Sequence, residues 1–306
     1  MSAQRRRRRT TPRNRAGREE QRSASGRMRG FARTPRLLRW PRRATRQRWL
    51  RQLRRAPVAL RLLIGVLLAA AVALAANGVY QVVRKPTELF FPVSGVLAKT
   101  PQESWREYGP AFRRYATPAI TPELLAALAQ VEGSGNPLVR TYWRWSWAPG
   151  LFDLYRPASS AVGMYQITDG TFAEARHYCI HHHALMHEGA WHDWHSCWFN
   201  GLYLRIAPRD AIELTAAYLD LKVNVILAND RRNEASVLQR QHLAAVVHLC
   251  GAGAAAGYAR RGFRFADGER CGAHDPREYL RRVDEMREVF SRLARAEGEE
   301  AARAAQ

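Results

Sequence analysis

Read for its alternation of apolar and polar positions, the chain opens without any periodic element. Ser2 to Arg55 is arginine, small polar residues and proline. Such a stretch buries too little apolar area to offset its ordering entropy, so residues 1–56 are expected to be a disordered tail. An apolar run follows, Leu62-Leu63-Ile64-Gly65-Val66-Leu67-Leu68-Ala69-Ala70-Ala71-Val72-Ala73-Leu74-Ala75-Ala76, and none of the 22 residues between Arg61 and Arg84 is charged. About 20 residues cross a hydrocarbon core ~30 Å thick as a helix, so residues 57–83 are predicted to form one transmembrane helix. Ala73-Leu74-Ala75 also fits a signal-peptide cleavage pattern. The element ends well past the ~15–30 residues that such peptides occupy, which favours an uncleaved anchor.

Beyond the anchor, Pro86, Pro92, Pro101, Pro110 and Pro118 interrupt any long element, so residues 84–118 read as a linker. Helical patterning then begins. Thr121-Pro122-Glu123 supplies an N-cap, a first-turn proline and an early acid, with Leu124, Leu125, Leu128 and Val131 in phase behind it. Gly133 and Gly135 stop that run. Residues 169–178, 209–228 and 239–250 read as further helices, the last ending at Gly251-Ala252-Gly253. Asp275-Pro276-Arg277-Glu278 caps a final helix with Tyr279, Val283, Met286 and Phe290 on one face. Strand signals are sparse. The expectation is a mainly helical domain over residues 119–290, followed by a polar helix extension or frayed tail at 291–306.

Charge sharpens this division. Residues 1–56 hold 21 arginines and only Glu19 and Glu20 as acids, a net +19 out of +22 for the whole chain. The remainder carries 28 basic and 25 acidic groups, so the folded body is close to neutral. The arginine run has no aromatic interleaving beyond Phe31, Trp40 and Trp49, so nucleic acid is not the expected partner. By the positive-inside rule it places the N-terminus in the cytoplasm, against the anionic inner leaflet, and the body outside. All four cysteines, Cys179, Cys197, Cys250 and Cys271, lie on that outer side and read as two disulfides. Of three possible pairings, Cys179–Cys197 and Cys250–Cys271 are expected as nearest neighbours.

Histidines crowd around the first cysteine pair: His177, His181, His182, His183, His187, His192 and His195. A metalloprotease helix would need a histidine four residues after His187, where Trp191 stands, so no metal site is expected. One carboxylate stands out instead. Glu132 ends an apolar helix and precedes Gly133-Ser134-Gly135-Asn136-Pro137. An apolar setting and a helix C-terminus both penalise its charged form, which suits a general acid for glycosidic bond cleavage.

Two later segments join it. Ser160-Ala161-Val162-Gly163-Met164-Tyr165-Gln166 ends a small-residue turn in one amide, and Ala244 to Gly253 runs an apolar helix through His248 into glycines. In this order the three segments resemble the lysozyme-like lytic transglycosylase family over roughly residues 119–265. The resemblance implies a lysozyme-like fold, Glu132 as the catalytic acid, and a glycan cleft shaped by Ser160, Gly163, Met164, Tyr165, Gln166, His248, Gly251 and Gly253, with no cofactor. The chain departs from the family pattern at Gly133, where serine is usual, and at His248 and Leu249, where tyrosine and asparagine are usual. The 34 residues from Glu132 to Gln166 include Tyr142, Trp143, Trp145, Trp147, Phe152 and Tyr155. Three tryptophans at alternate positions form a sugar-stacking wall, an added core layer or a surface leaning on the membrane. The implied activity is cleavage of peptidoglycan between N-acetylmuramic acid and N-acetylglucosamine from the inner membrane, giving a 1,6-anhydromuramoyl end. A hydrolysing lysozyme, with Asp153 or Asp169 as second carboxylate, and a non-catalytic wall-binding protein of the same fold are the alternatives.

Overall fold

A computed structural model describes residues 43–90, 95–139, 141–146, 154–193, 196–229 and 235–306. The arginine-rich residues 1–42, and Pro92, Trp147, Phe152, Asp153, Trp194 and His195, lie outside the described residues. The chain divides into two compact units, Met1–Ala69 and Ala70–Gln306. The first contains the basic helix α1 (Arg43–Arg55) and the start of α2 (Val58–Arg84). Leu62, Val66, Leu67 and Leu68 of α2 are all exposed.

The second unit is mostly helical. It contains the end of α2, then α3 (Pro101–Tyr115), α4 (Pro122–Gly133), the hairpin β1 (Trp143–Trp145) and β2 (Tyr155–Pro157), and α5 (Asp169–Ala175). A second hairpin, β3 (Tyr178–His181) with β4 (Ala184–His187), precedes α6 (Pro208–Ala228), α7 (Val237–Arg260) and α8 (Pro276–Ala304). Each hairpin is a separate antiparallel two-stranded sheet. Among the described residues two helices, Val58–Val83 and Val237–Arg260, are long and apolar enough to cross a membrane. The second places Leu243 to Val247 in the core of the body, so packing accounts for its apolar composition. The first has none of its apolar window buried.

The core gathers Leu124 to Ala129 of α4, Ile212 to Val223 of α6, Leu243 to Val247 of α7, and Tyr279 to Phe290 of α8. It also takes in a helix where the proline count predicts a linker. Thr100 and Glu103 form a reciprocal capping box, and Pro101 occupies the first helical turn, where its missing N–H costs nothing. Pro110 does sit inside α3. Its cost of ~3 kcal/mol is offset by burial of Trp105, Tyr108, Phe112 and Tyr115, each aromatic removing roughly 150–250 Å² from water. Residues 101–115 therefore belong to the body.

Other boundaries shift for local reasons. The helix expected over 169–178 stops at Ala175, and Tyr178–His181 pairs with Ala184–His187 around the left-handed residues His182 and His183. The helix expected to end at residue 250 continues to Arg260 through a kink at Gly251, whose φ of 79° needs a residue without a Cβ. The last helix extends to Ala304, and Glu297 anchors it by accepting from Trp105 Nε1 (2.9 Å) and pairing with Arg113.

Both disulfides form between nearest neighbours, Cys179–Cys197 and Cys250–Cys271, closing spans of 18 and 21 residues. Loops of that length remove about 3 kcal/mol each of unfolded-state entropy. Denatured, unreduced protein should show no free thiol with Ellman's reagent. Reduction should lower the melting temperature, and four free thiols in unreduced protein would contradict both pairings.

Candidate active site

Glu132 occupies the last turn of α4, and the end of that helix is fixed from three sides. Ser134 and Gly135 both adopt left-handed conformations, and Gly135 N–H returns to Ala129 O (3.1 Å) to close the helix. Helix α3 holds the same end. Ser104 donates to Gln130 Oε1 (3.0 Å), Gln130 Nε2 donates to Lys99 O (2.9 Å), and Lys99 N–H donates to Ser134 O (2.8 Å). On the third side Gly133 lies against the backbone of Met164. A Cβ there would come within 2.9 Å of Met164 O and 3.0 Å of its Cα. A side chain at position 133 does not fit this approach.

The carboxyl itself is half-buried, with 19% of its side chain exposed. Tyr279 of α8 donates its hydroxyl to Oε1 at 2.6 Å, and His248 Nε2 of α7 lies 3.6 Å from the same oxygen. Burial first, and the adjacent Glu132 carboxylate second, hold the Tyr279 hydroxyl well above its ordinary pKa, so it remains a donor. Tyr279 reads from sequence as a core residue on the apolar face of the last helix. Its signal was chemical, since a buried tyrosine needs a partner for its hydroxyl. The Cys250–Cys271 disulfide ties the His248 segment of α7 to the turn that leads into α8.

His248 also lines a cavity of about 240 Å³ together with Gln166, Thr168, Thr171, Thr215 and Tyr218. The Thr215 hydroxyl is buried there and has no hydrogen-bond partner among the described residues. Gln166 adopts a left-handed conformation (φ 49°), and its amide donates to Gly163 O (2.9 Å) and Val139 O (3.3 Å). The turn from Val162 to Ile167 requires glycine at 163, where φ is +80° and a Cβ would meet Arg205 O at 2.3 Å.

The other expected cleft residues divide. Gly251 lines the cavity, whereas Gly253 is exposed beyond the kink. Met164 and Tyr165 are completely buried, with Tyr165 donating to Leu125 O (3.0 Å). They form the floor under α4 and have no surface for a glycan to touch. Ser160 faces a different cavity, where its hydroxyl accepts from Asp169 N–H. Trp143 and Trp145 do share a face, packed on either side of Tyr155 at 5.2 and 4.9 Å. That hairpin sits by the end of α2, through Asn77 Nδ2 to Tyr155 O (2.6 Å) and Trp143 Nε1 to Glu88 Oε2 (2.9 Å), and does not line the cavity beside Glu132. A sugar-stacking wall at the acid is therefore not what these tryptophans build.

The histidine group is dispersed. His177 pairs with Glu188, His183 Nδ1 lies 2.9 Å from Ala116 O, and no cluster of three or more His, Cys, Asp or Glu side chains suited to a metal occurs among the described residues. No family model and no curated protein matches this chain. The chemistry at Glu132 therefore rests on its own geometry.

Two substitutions test that geometry. Gly133→Ala places a Cβ against rigid backbone and should destabilise the body by about 1–3 kcal/mol, read from denaturant midpoints; an unchanged midpoint would show that α4 can move away. Tyr279→Phe removes the hydrogen bond to Glu132 and should cost about 0.5–1.5 kcal/mol. The loss should vanish in a Glu132→Ala background, which has no acceptor, if the bond is its cause.

Proposed function

We propose that this chain is a membrane-anchored lytic transglycosylase that cleaves peptidoglycan strands between N-acetylmuramic acid and N-acetylglucosamine. The observation that carries this reading is a half-buried carboxyl at a helix end, with one oxygen held by Tyr279 and approached by His248, beside a cavity carrying Gln166 and a Thr215 hydroxyl that has no hydrogen-bond partner among the described residues. With Oε1 engaged, Oε2 is the atom that carries the transferable proton.

In this mechanism neutral Glu132 gives its proton to the glycosidic oxygen as the bond from that oxygen to C1 breaks. The substrate's own acetamido group stabilises the positive charge at C1. The carboxylate then takes the proton of the muramoyl C6 hydroxyl, and the C6 oxygen bonds to C1. One proton leaves Glu132 and one returns, so neither water nor a second enzyme carboxylate is consumed. Asp169 supports this rather than hydrolysis by a carboxylate pair. It is largely exposed, paired with Arg205 at 2.8 Å, and lines the other cavity. Asp153 lies outside the described residues.

The same reading places the protein in the inner membrane, spanning once through Val58–Val83, with the arginine-rich tail cytoplasmic and the disulfide-bonded body periplasmic. The charge asymmetry of the sequence and the two disulfides support that orientation.

Digestion of purified sacculi followed by mass spectrometry tests the chemistry. The expected product is 1,6-anhydromuramoyl ends. Glu132→Gln should lower the rate by ~10²–10⁴ or more, the usual range for a general acid–base group, with a preserved melting transition. Reducing ends would assign a hydrolase, and folded wild-type protein that releases nothing would assign a binding module.

A further inference from the structure

We propose that the β1–β2 hairpin is a membrane-contacting surface, seated among the lipid headgroups and the first part of the acyl chains around the end of α2. The inference rests on the proposed span through Val58–Val83 and is independent of the catalytic role of Glu132. It starts from three polar residues. Asn77 and Gln81 of α2, and Lys85 directly after it, stand at four-residue intervals, which puts them on one helix face. Residues 155–161 cover that face. Asn77 Nδ2 donates to Tyr155 O (2.6 Å), and Lys85 Nζ donates to Ala161 O (2.9 Å). Asn77 and Gln81 are left only 2% and 4% exposed. Trp143 Nε1 to Glu88 Oε2 (2.9 Å) adds a third tie. The hairpin is thus fastened along the last two turns of the helix rather than beyond its end.

The place of Asn77 along α2 sets the depth. Arg61 is the last charge before the apolar run, and ~20 residues are needed to cross the hydrocarbon core. Counted from Leu62, that length ends at Gln81. Asn77 lies one helical turn earlier, about 6 Å inside at ~1.5 Å per residue. A bare side-chain amide at that level would face hydrocarbon, where an unpaired polar group is costly. Here a carbonyl of the hairpin meets it, so the hairpin descends to the same level. Elements that lie in the membrane interface reach ~5–10 Å into the boundary of headgroups and acyl chains.

The side chains suit that level. Trp143, Trp145 and Tyr155 form one cluster, and Trp and Tyr are enriched at membrane–water interfaces. Trp145 is 60% exposed, and Leu154 beside it in the hairpin is exposed as well. On α2 itself Val79 and Val83, off the covered stripe, are open. Strand alternation sends Arg144 and Arg156 to the other face of the hairpin, where they line the cavity of about 570 Å³ that also takes in Ser160. The arginines therefore stay off the aromatic face. In water that face leaves apolar area uncovered, and lipid covers it.

The test uses the full chain in phosphatidylcholine nanodiscs, with the photocrosslinker p-benzoylphenylalanine in place of Trp145 and, separately, of Leu67 and Leu238. Mass spectrometry after irradiation reads lipid adducts at each position. Leu238 is also an exposed apolar residue, at the start of α7. Gln241 in the same turn donates to Thr121 Oγ1 (3.3 Å), at the opposite end of α4 from Gly133 and Met164. Adducts should form at 145 and at 67, and stay at the unirradiated background at 238. Background yield at 145 alongside normal capture at 67 would overturn the hairpin contact alone. Equal yields at 145 and 238 would mean contact without a preferred face and would overturn it too. Absence of adducts at 67 would overturn the span and the hairpin contact together. Should the substitution at 145 lower the melting transition, Leu154 takes its place in the same comparison, with the same outcomes deciding.

Discussion

The second unit depends on how closely the end of α4 lies against the turn at Met164. The contact is backbone to backbone, because Gly133 has no Cβ to keep the two apart. Backbone contact leaves no rotamer by which the helix end could adjust, so packing holds the end of α4 in place. Tyr279 and His248 then reach the carboxyl from α8 and α7, and the Cys250–Cys271 disulfide ties α7 to the turn that leads into α8. A carboxyl on a mobile loop could form the same hydrogen bond, but it would pay the ordering entropy each time. Here folding has already met that cost.

This constraint explains what was legible in the sequence. The apolar helix after Thr121-Pro122-Glu123, the acid at its end and the disulfide pairing follow from local patterns: a cap, a period and a spacing. Helix α3 was hidden because five prolines in 35 residues read as a string of breaks. One of them is a favourable first-turn residue, and another is tolerated because aromatic burial outweighs it. The β3–β4 hairpin was hidden for the opposite reason. Its turn is made by His182 and His183 at positive φ, and histidine is not among the residues that usually announce such a turn. The resemblance of the Ser160–Gln166 segment puts Met164 and Tyr165 in a cleft with Gln166, yet a turn sends adjacent residues to opposite sides. The amide faces the cavity and the two large side chains fill the floor.

The two faces of the β1–β2 hairpin show how little sequence this takes. Three residues in each strand suffice, since side chains alternate and cross-strand partners share a face. Aromatic residues at 143, 145 and 155 and arginines at 144 and 156 cannot mix. The alternation seen in the sequence is therefore real, but its partner is the end of α2, through Asn77 and Glu88, and not the acid.

The segment between the two cavities joins these features. Residues 159–167 present their carbonyls to two cations. Lys85 takes Ser159 O and Ala161 O, and Arg205 takes Ser160 O and Ile167 O. Hydrogen bonds from charged donors contribute about 1.5–3 kcal/mol each when the alternative is a buried unpaired group. Lys85 follows the last turn of α2, and Arg205 lies in the loop that leads into α6. The same strip carries Gly163, Met164 and Gln166, against which α4 ends. The end of α2 thus bonds to the same strip of backbone that supports Glu132 from below. A displacement of the Lys85 ammonium would reach the floor of the candidate site through Ala161 and Gly163, three residues and one residue from Met164, with no flexible side chain between to absorb it.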